Sequence, residues 1–401
     1  MQTQFADFIK QTAQGRRAEA ILRHCVHCGF CNAGCPTYQL LGDEQDGPRG
    51  RIYLIKQVLE GNTATRATQQ HLDRCLTCRA CETVCPSGVE YGRLLDIGRG
   101  LVEQQVSRVW HQRLLRWLLL FALPVPQRFA RLLAVARICR PLLPRRFKNM
   151  PPSLQAVSRR PASRHSRRML LLEGCVQPAL APSINAATAR VLDRLAISLV
   201  DTPAAECCGA LAYHLNDQPA GLNSMRRLID AWWPEVEKGV EAIVTTASGC
   251  GVTVKDYAEL LKHDPLYAEK AARISGLAKD IGEILSAEEL SVFKPAARRI
   301  AFHSPCTLQH GQALNGVVEK VLLGLGFELT PVADGHLCCG SAGSYALLQA
   351  ELSGRLRAAK IQALQAGRPE LIATANIGCW LQLREKSALP VVHWIELLAE
   401  A

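Results

Sequence analysis

The feature that most restricts this chain is a cysteine quartet. Cys25-x2-Cys28-x2-Cys31-x3-Cys35-Pro36 recurs fifty residues later as Cys75-x2-Cys78-x2-Cys81-x3-Cys85-Pro86. A [4Fe–4S] cube needs four thiolates pointing inward around one small body; a tight loop supplies three, and the fourth, beside proline, comes from the other quartet. On that rule Cys25, Cys28, Cys31 and Cys85 hold one cluster, and Cys75, Cys78, Cys81 and Cys35 hold a second. Zinc is the alternative for so many thiols, but its spacing is paired CxxC or Cys/His. The quartets are joined by a helix expected from Pro48 to Glu60, started by Gly47-Pro48 and stopped by Gly61-Asn62. His24 and His27 flank the first loop, and Arg49 and Arg51 open the helix. The histidines are read as polar loop residues, with tuning of the cluster potential the alternative; the arginines are open between offsetting cluster charge and a solvated helix start.

The rest of the chain repeats itself. Arg167-Arg168-Met169 to Cys175 aligns with Arg298-Arg299-Ile300 to Cys306, Asn185 to Leu192 with Asn315 to Leu322, and Cys207-Cys208-Gly209 with Cys338-Cys339-Gly340. Ile243 to Cys250 aligns with Ile372 to Cys379, all at offsets of 129 to 131 residues. We take this as a duplicated domain. Each copy is expected to run strand (169–173; 300–303), helix (184–195; 314–325), strand (197–201; 327–331), helix and strand (242–246; 371–374), a parallel α/β pattern. The first and last cysteines then fall just past strand ends, where α/β folds place their sites.

Each copy carries four thiols: Cys175, Cys207, Cys208 and Cys250 in the first, Cys306, Cys338, Cys339 and Cys379 in the second. Adjacent cysteines can face one way only from a turn, and a following glycine permits one. The two matched sets are candidate sites, with iron–sulfur, zinc and redox-active thiols all open. Cys139 is left over and is expected to be packing. His303, His310 and His336 lie near these cysteines and are read as structural. No dinucleotide glycine loop, P-loop or hydrolytic triad accompanies them, so flavin and nicotinamide are not expected on this chain.

The fold class expected is α+β overall, with a mostly helical two-cluster ferredoxin-like domain followed by two duplicated α/β cysteine-rich repeats. Boundaries are placed at 1–100 (two clusters), 101–165 (basic, Pro-rich linker), 166–290 (first repeat) and 291–401 (second repeat). Charge marks the linker: residues 104–172 hold fifteen Lys or Arg and no Asp or Glu, while the whole chain carries +11. A helical wheel gathers Val106, Val109, Trp110, Leu114, Trp117 and Phe121 into an apolar stripe. A membrane surface, a partner subunit or the chain's own domain would each suit it. Nucleic acid is not expected, since no recognition motif accompanies the charge. The longest uncharged run of that stretch, Trp117 to Gln127, is eleven residues with two prolines, too short to span a bilayer. Met1 to Arg17 is polar and no secretory leader is expected, so the thiols are expected in a reducing compartment.

Two ferredoxin quartets followed by two CCG repeats resemble a family of electron-transfer subunits. It includes the iron–sulfur subunits of bacterial glycolate oxidase and anaerobic glycerol-3-phosphate dehydrogenase, lactate-utilisation proteins and heterodisulfide reductase subunits. The wording of Cys25-Val-His-Cys-Gly-Phe-Cys31, Gly47-Pro-Arg-Gly-Arg-Ile-Tyr-Leu-Ile-Lys56, Ala231-Trp-Trp-Pro234, Thr246-Ala-Ser-Gly-Cys-Gly251 and Leu337-Cys-Cys-Gly-Ser-Ala-Gly343 is most similar to the glycolate oxidase members. The resemblance implies two [4Fe–4S] clusters on the eight quartet cysteines and FAD on a partner subunit. That partner would oxidise glycolate to glyoxylate, with electrons passing through this chain to a membrane acceptor such as quinone. It implies a cytoplasmic protein, peripheral on the inner face of the membrane, and a chain that does not itself oxidise glycolate. The alternatives are a related lactate or glycerol-3-phosphate dehydrogenase subunit, or a CCG protein reducing a disulfide or quinone directly. In heterodisulfide reductase members the repeat ends in CxxC; here Ala247 and Asn376 stand at the first position, so a five-cysteine site is not expected.

Overall fold

The computed structural model describes residues 1–139, 160–202 and 204–400. The linker prolines Pro141, Pro144, Pro151 and Pro152 fall outside them. Two compact units are present: Met1–Leu115 with His336–Lys360, and Arg116–Gly335 with Ile361–Ala401.

The first unit is helical. Thr12 caps the helix Ala13–His24 by accepting from the Gly15 amide, and Pro48 opens the helix Pro48–Leu59 at its first turn, where no amide bond is lost. Ile52, Ile55, Val58 and Leu59 of that helix join Leu94, Leu95, Leu101 and Val102 of the helix Tyr91–Gln105 in one core. At the edge of this core Arg108 is buried and paired with Asp73 and Glu103. The apolar stripe read from the sequence is shorter than expected. Val106 ends the helix Tyr91–Gln105 and is buried in the core, and a separate helix begins at Trp110.

The second unit carries two four-stranded parallel sheets. The strands are β1 (Arg167–Leu172), β2 (Ile197–Val200), β3 (Ile243–Thr245), β4 (Ala278–Asp280), β5 (Arg299–His303), β6 (Glu328–Leu329), β7 (Leu371–Thr374) and β8 (Val391–His393). Their orders, β2-β1-β3-β4 and β6-β5-β7-β8, are the same topology twice. Leu170 registers with Val200 and Ile243, and Ile300 registers with Leu329 and Leu371. The central strands are apolar and buried, as strands covered on both faces must be. The fourth strand of each sheet, three residues long, was not expected.

The copies pack on each other through equivalent elements. The helix Pro182–Arg194 of the first copy lies on Trp394–Ala399 of the second, and Val317–Gly324 of the second lies on Ile281–Ser286 of the first. Polar contacts close the join: Ser248 Oγ to Thr307 Oγ1 at 2.7 Å, Gln312 Nε2 donating to the Ser248 carbonyl at 3.1 Å, and His393 Nε2 donating to the Thr246 carbonyl at 3.0 Å. Burial holds His393 neutral, its pKa lowered to about 4.

Asp280 and His393 are equivalent caps, each ending the last strand of its copy and each in a reciprocal capping box. Asp280 is buried and pushed up to about 7, chiefly by loss of water, with Glu283 adding to the rise and the Gly282 amide and Lys255 opposing it. An unfolded Asp titrates near about 3.9, so the folded state holds the extra proton between these values. This group's contribution to stability therefore falls as pH rises through that window. Asp280→Asn keeps the cap and removes the charge. It should match the parent near pH ~4 and be more stable by about 1–3 kcal/mol near pH ~8, read from urea midpoints. An equal difference at both pH values would contradict the assignment.

Candidate metal centres

The two quartets adopt the same backbone path. His27 and Gly29 of the first loop have positive φ (61° and 89°), as do their counterparts Thr77 and Arg79 of the second (53° and 59°). These left-handed residues curl each loop so that three cysteines face one point, and a single helical turn follows, Phe30–Ala33 and Ala80–Thr83. Those turns pack on each other, carrying each fourth cysteine across to the opposite loop. Cys25, Cys28, Cys31 and Cys85 line one cavity together with Pro48, Arg49 and Ile52, and Cys81 borders it as well. Cys81 faces Cys78, Cys75 and Cys35.

Mutual charge and burial describe what these pockets want. Burial pushes the Cys31 thiol up to about 11, with Cys25, Cys85 and Cys28 adding to the rise, and raises Cys81 well above the ordinary thiol range. Gathered thiols that resist ionising together need a cation among them. The Thr77 amide donates to Cys75 Sγ and the Val89 amide to Cys85 Sγ, both at 3.5 Å. Four converging thiols with amide donors at their backs suit an iron–sulfur cube. The two pockets differ in exposure: Cys28 is exposed, whereas Cys35, Cys75, Cys78 and Cys81 are all buried.

The buried pocket has a counter-charge that spacing alone did not identify. Arg51, 1% exposed at its side chain, donates to the His71 carbonyl (2.7 Å), Thr37 Oγ1 (3.1 Å) and Asp46 Oδ1 (3.4 Å). Thr37 Oγ1 is in turn 3.3 Å from Cys35 Sγ. Burial works against the guanidinium charge, and Cys75, Tyr91, Cys35 and Asp46 outweigh it. Asp46, itself buried, also meets His71 Nδ1 (3.0 Å) and Arg74 Nη1 (2.7 Å). Arg99 adds a second buried cation, donating to the Cys75 carbonyl at 2.8 Å. Arg49, by contrast, pairs with Glu44 at the surface. Tyr345, in the 336–360 segment of this unit, is buried with its hydroxyl raised by burial and by Cys75 and Cys338.

In the second unit Cys175 follows β1, Cys207-Cys208 follow β2 and Cys250 follows β3, so three adjacent strand ends deliver four thiols. Gly209 (φ 83°) turns the chain after the pair, and a Cβ there would lie 2.6 Å from the Gly221 carbonyl oxygen. Hydrogen bonds from Cys175 and Cys208 lower the Cys207 thiol well below its ordinary range, helped by the Gly209 amide and Arg227. Cys208 also lies within hydrogen-bond reach of Cys250. The four sulfurs thus form one connected set. In the second copy Cys306 and Cys379 follow β5 and β7 in the same unit, and Asn376 Nδ2 donates to Cys379 Sγ at 3.5 Å. Cys338 and Cys339 belong to the segment assigned to the first unit, where the Gly340 amide donates to Cys338 Sγ at 3.4 Å. His303 is buried against Thr374, with Nδ1 3.0 Å from Oγ1. His310 lies in the turn Thr307–Gly311 and His336 opens the 336–360 segment.

Known protein families match both the quartets and the cysteine-rich repeats. Residues 21–89 match the 4Fe-4S dicluster domain, and residues 169–255 and 300–384 each match the Cysteine-rich domain. The chain is 57% identical over its whole length, and 99% of the relative's, to the glycolate oxidase iron-sulfur subunit of Escherichia coli K12. The chain belongs to the glycolate oxidase iron–sulfur subunit family. A probable glycolate oxidase iron-sulfur subunit of Bacillus subtilis is 29% identical over 98% of this chain and 97% of its own. Lactate utilization protein A of Bacillus licheniformis is 24% identical over 56% of this chain and 95% of its own. For this family member the α+β architecture, an N-terminal two-cluster domain followed by two cysteine-rich repeats, is the one expected from the sequence.

Arg51 is the residue whose replacement reports most directly on the buried pocket. Arg51→Gln removes a positive charge beside Cys35 and Cys75, and Arg51→Lys retains it. The glutamine variant should lower the reduction potential of one cluster by on the order of 50–90 mV, which is about 1–2 kcal/mol. The lysine variant should lie much closer to the parent. Potentiometric titration followed by electron paramagnetic resonance reads both; two unmoved potentials would remove Arg51 from this role.

Proposed function

We propose that this chain is the electron-transfer subunit of a glycolate-oxidising complex. In this reading an FAD-containing partner oxidises glycolate to glyoxylate, and this chain passes the electrons towards a membrane acceptor such as quinone. The chain alone has no activity on glycolate, and the complex sits peripherally on the inner face of the membrane. The full-length likeness to the Escherichia coli subunit supports the substrate class. The observation that carries the relay is the pairing of an exposed and a buried cysteine pocket in one unit.

Cys25, Cys28, Cys31 and Cys85 would hold one [4Fe–4S] cluster, and Cys75, Cys78, Cys81 and Cys35 the other. The groups supply one-electron acceptance and release when bound. The protein's part is to set charge and access. Arg51 and Arg99 place positive charge at the buried pocket, and the backbone amides of Thr77 and Val89 point at sulfur. The exposed Cys28 leaves the first pocket within reach of a donor. We assign Cys175, Cys207, Cys208 and Cys250 to a further metal or redox site. Iron beyond two cubes, or about one zinc per chain, is the expected result of metal analysis; neither would leave the four as redox thiols.

The relay is tested on the natively co-purified complex under anaerobic conditions. Glycolate should reduce the clusters, and the signal should depend on the flavin-bearing partner. Lactate and glycerol 3-phosphate should give less. If dithionite reduces the clusters and no 2-hydroxy acid does, the clusters stand and the glycolate assignment falls.

A further inference from the structure

Two consecutive helices, Trp110–Ala122 and Pro126–Ile138, present large apolar side chains to solvent. On the first, Trp110 is 75% exposed, Trp117 58%, Leu114 47%, Leu118 45% and Phe121 43%. At about 100° per residue these five fall within one arc of roughly 100°. The helix's buried residue, Leu119, lies on the opposite side of the wheel from Trp110. The aromatic stripe therefore faces away from the protein, the reverse of an ordinary surface helix. The second helix buries no side chain and exposes Leu132, Val135 and Ile138.

The stripe is also held in shape. The rings of Trp117 and Phe121 stack at 5.4 Å, and the Arg128 guanidinium sits 4.2 Å over the Phe121 ring while donating to the Phe121 carbonyl at 2.6 Å. These contacts tie the two helices together across a bend of 113°. Neither helix alone is long enough to cross a bilayer: thirteen residues each give about 20 Å, against a hydrocarbon core of about 30 Å.

Charge selects the occupant. Residues 104–172 contain no Asp or Glu, and Arg113, Arg116, Arg128, Arg131 and Arg137 lie on these two helices. An exposed apolar stripe on helices whose charged residues are all arginines, with Trp at its exposed edge, is complementary to an anionic lipid surface. A protein face would have to supply its own acids. We propose that the helix pair is an interfacial anchor lying on an anionic phospholipid bilayer. Trp110, Trp117, Phe121, Leu114 and Leu118 enter the headgroup boundary, and the exposed Arg113 and Arg131 engage lipid phosphates. The proposal gives a location to the peripheral membrane placement above. Vesicle binding requires no electron transfer, so the two can fail separately.

The test is flotation of the full chain with vesicles of phosphatidylcholine, alone or with about one third phosphatidylglycerol. Binding should need the anionic lipid and weaken by about tenfold as salt shortens the screening length. Trp110→Ser/Trp117→Ser should reduce it about tenfold, and Trp emission should shift to the blue only in the parent. Because exposed apolar changes also alter solubility, Arg113→Gln/Arg131→Gln provides a second arm, with unchanged iron content and about tenfold weaker binding. Equal binding by parent and both variants overturns the proposal. So does indifference to anionic vesicles combined with loss of the co-purifying partner in the variants, which would make the face a protein dock.

Discussion

The exchange of the fourth cysteine is the constraint on which the first unit depends. Cys35 leaves its own loop for Cys75, Cys78 and Cys81, and Cys85 leaves its loop for Cys25, Cys28 and Cys31. On the ligation proposed above neither quartet could close without the other, so two short loops, each too small to form a core, would become one body. The exchange explains why the turns Phe30–Ala33 and Ala80–Thr83 pack together and why left-handed residues recur at matching positions. Ligation would also gather negative sulfur in a small volume, which is costly in a low-dielectric interior unless cations accompany it. Arg51 and Arg99 meet that need. Asp46 accepts from Arg51 and is itself met by His71 Nδ1 and Arg74, and the His71 carbonyl accepts from Arg51 Nε.

The second unit solves a different problem. Its thiols arrive one strand end at a time, from β2, β1 and β3, so a parallel sheet rather than a loop sets their spacing. Duplication supplies a second sheet of identical order, and the two copies bury their equivalent helices against each other. Polar groups at this join are matched one by one: His393 to the Thr246 carbonyl, Ser248 to Thr307, Gln312 to the Ser248 carbonyl. Burial of the caps Asp280 and His393 follows from their position where each copy's final strand turns into the helix that packs there.

What could be read from the sequence was whatever local spacing encodes. The quartets, the helix from Pro48, the duplicated strands and the cysteines just past strand ends all appear as short-range patterns, and the strands β1 to β3 and β5 to β7 lie where those patterns put them. The misses share a physical cause. β4 (Ala-Lys-Asp) and β8 (Val-Val-His) run straight into helices with no cysteine after them to mark a strand end. Arg51 is open in the sequence between a counter-charge and a solvated helix start; only tertiary packing decides it, burying the side chain among Thr37, Asp46 and the His71 carbonyl. Val106 continues the wheel of Trp110 in sequence but ends another helix in space. The membership of residues 336–360 in the first unit depends on contacts hundreds of residues away, such as Arg355 Nη2 to the Leu40 carbonyl at 3.2 Å.

The exchange of fourth ligands can be measured directly with four single variants, Cys28→Ser, Cys85→Ser, Cys78→Ser and Cys35→Ser, each reduced and examined by electron paramagnetic resonance. The account predicts that Cys85→Ser alters the same cluster signal as Cys28→Ser, and that Cys35→Ser alters the same signal as Cys78→Ser. The opposite grouping, Cys85 with Cys78 and Cys35 with Cys28, would show that each quartet closes on itself and would contradict the account.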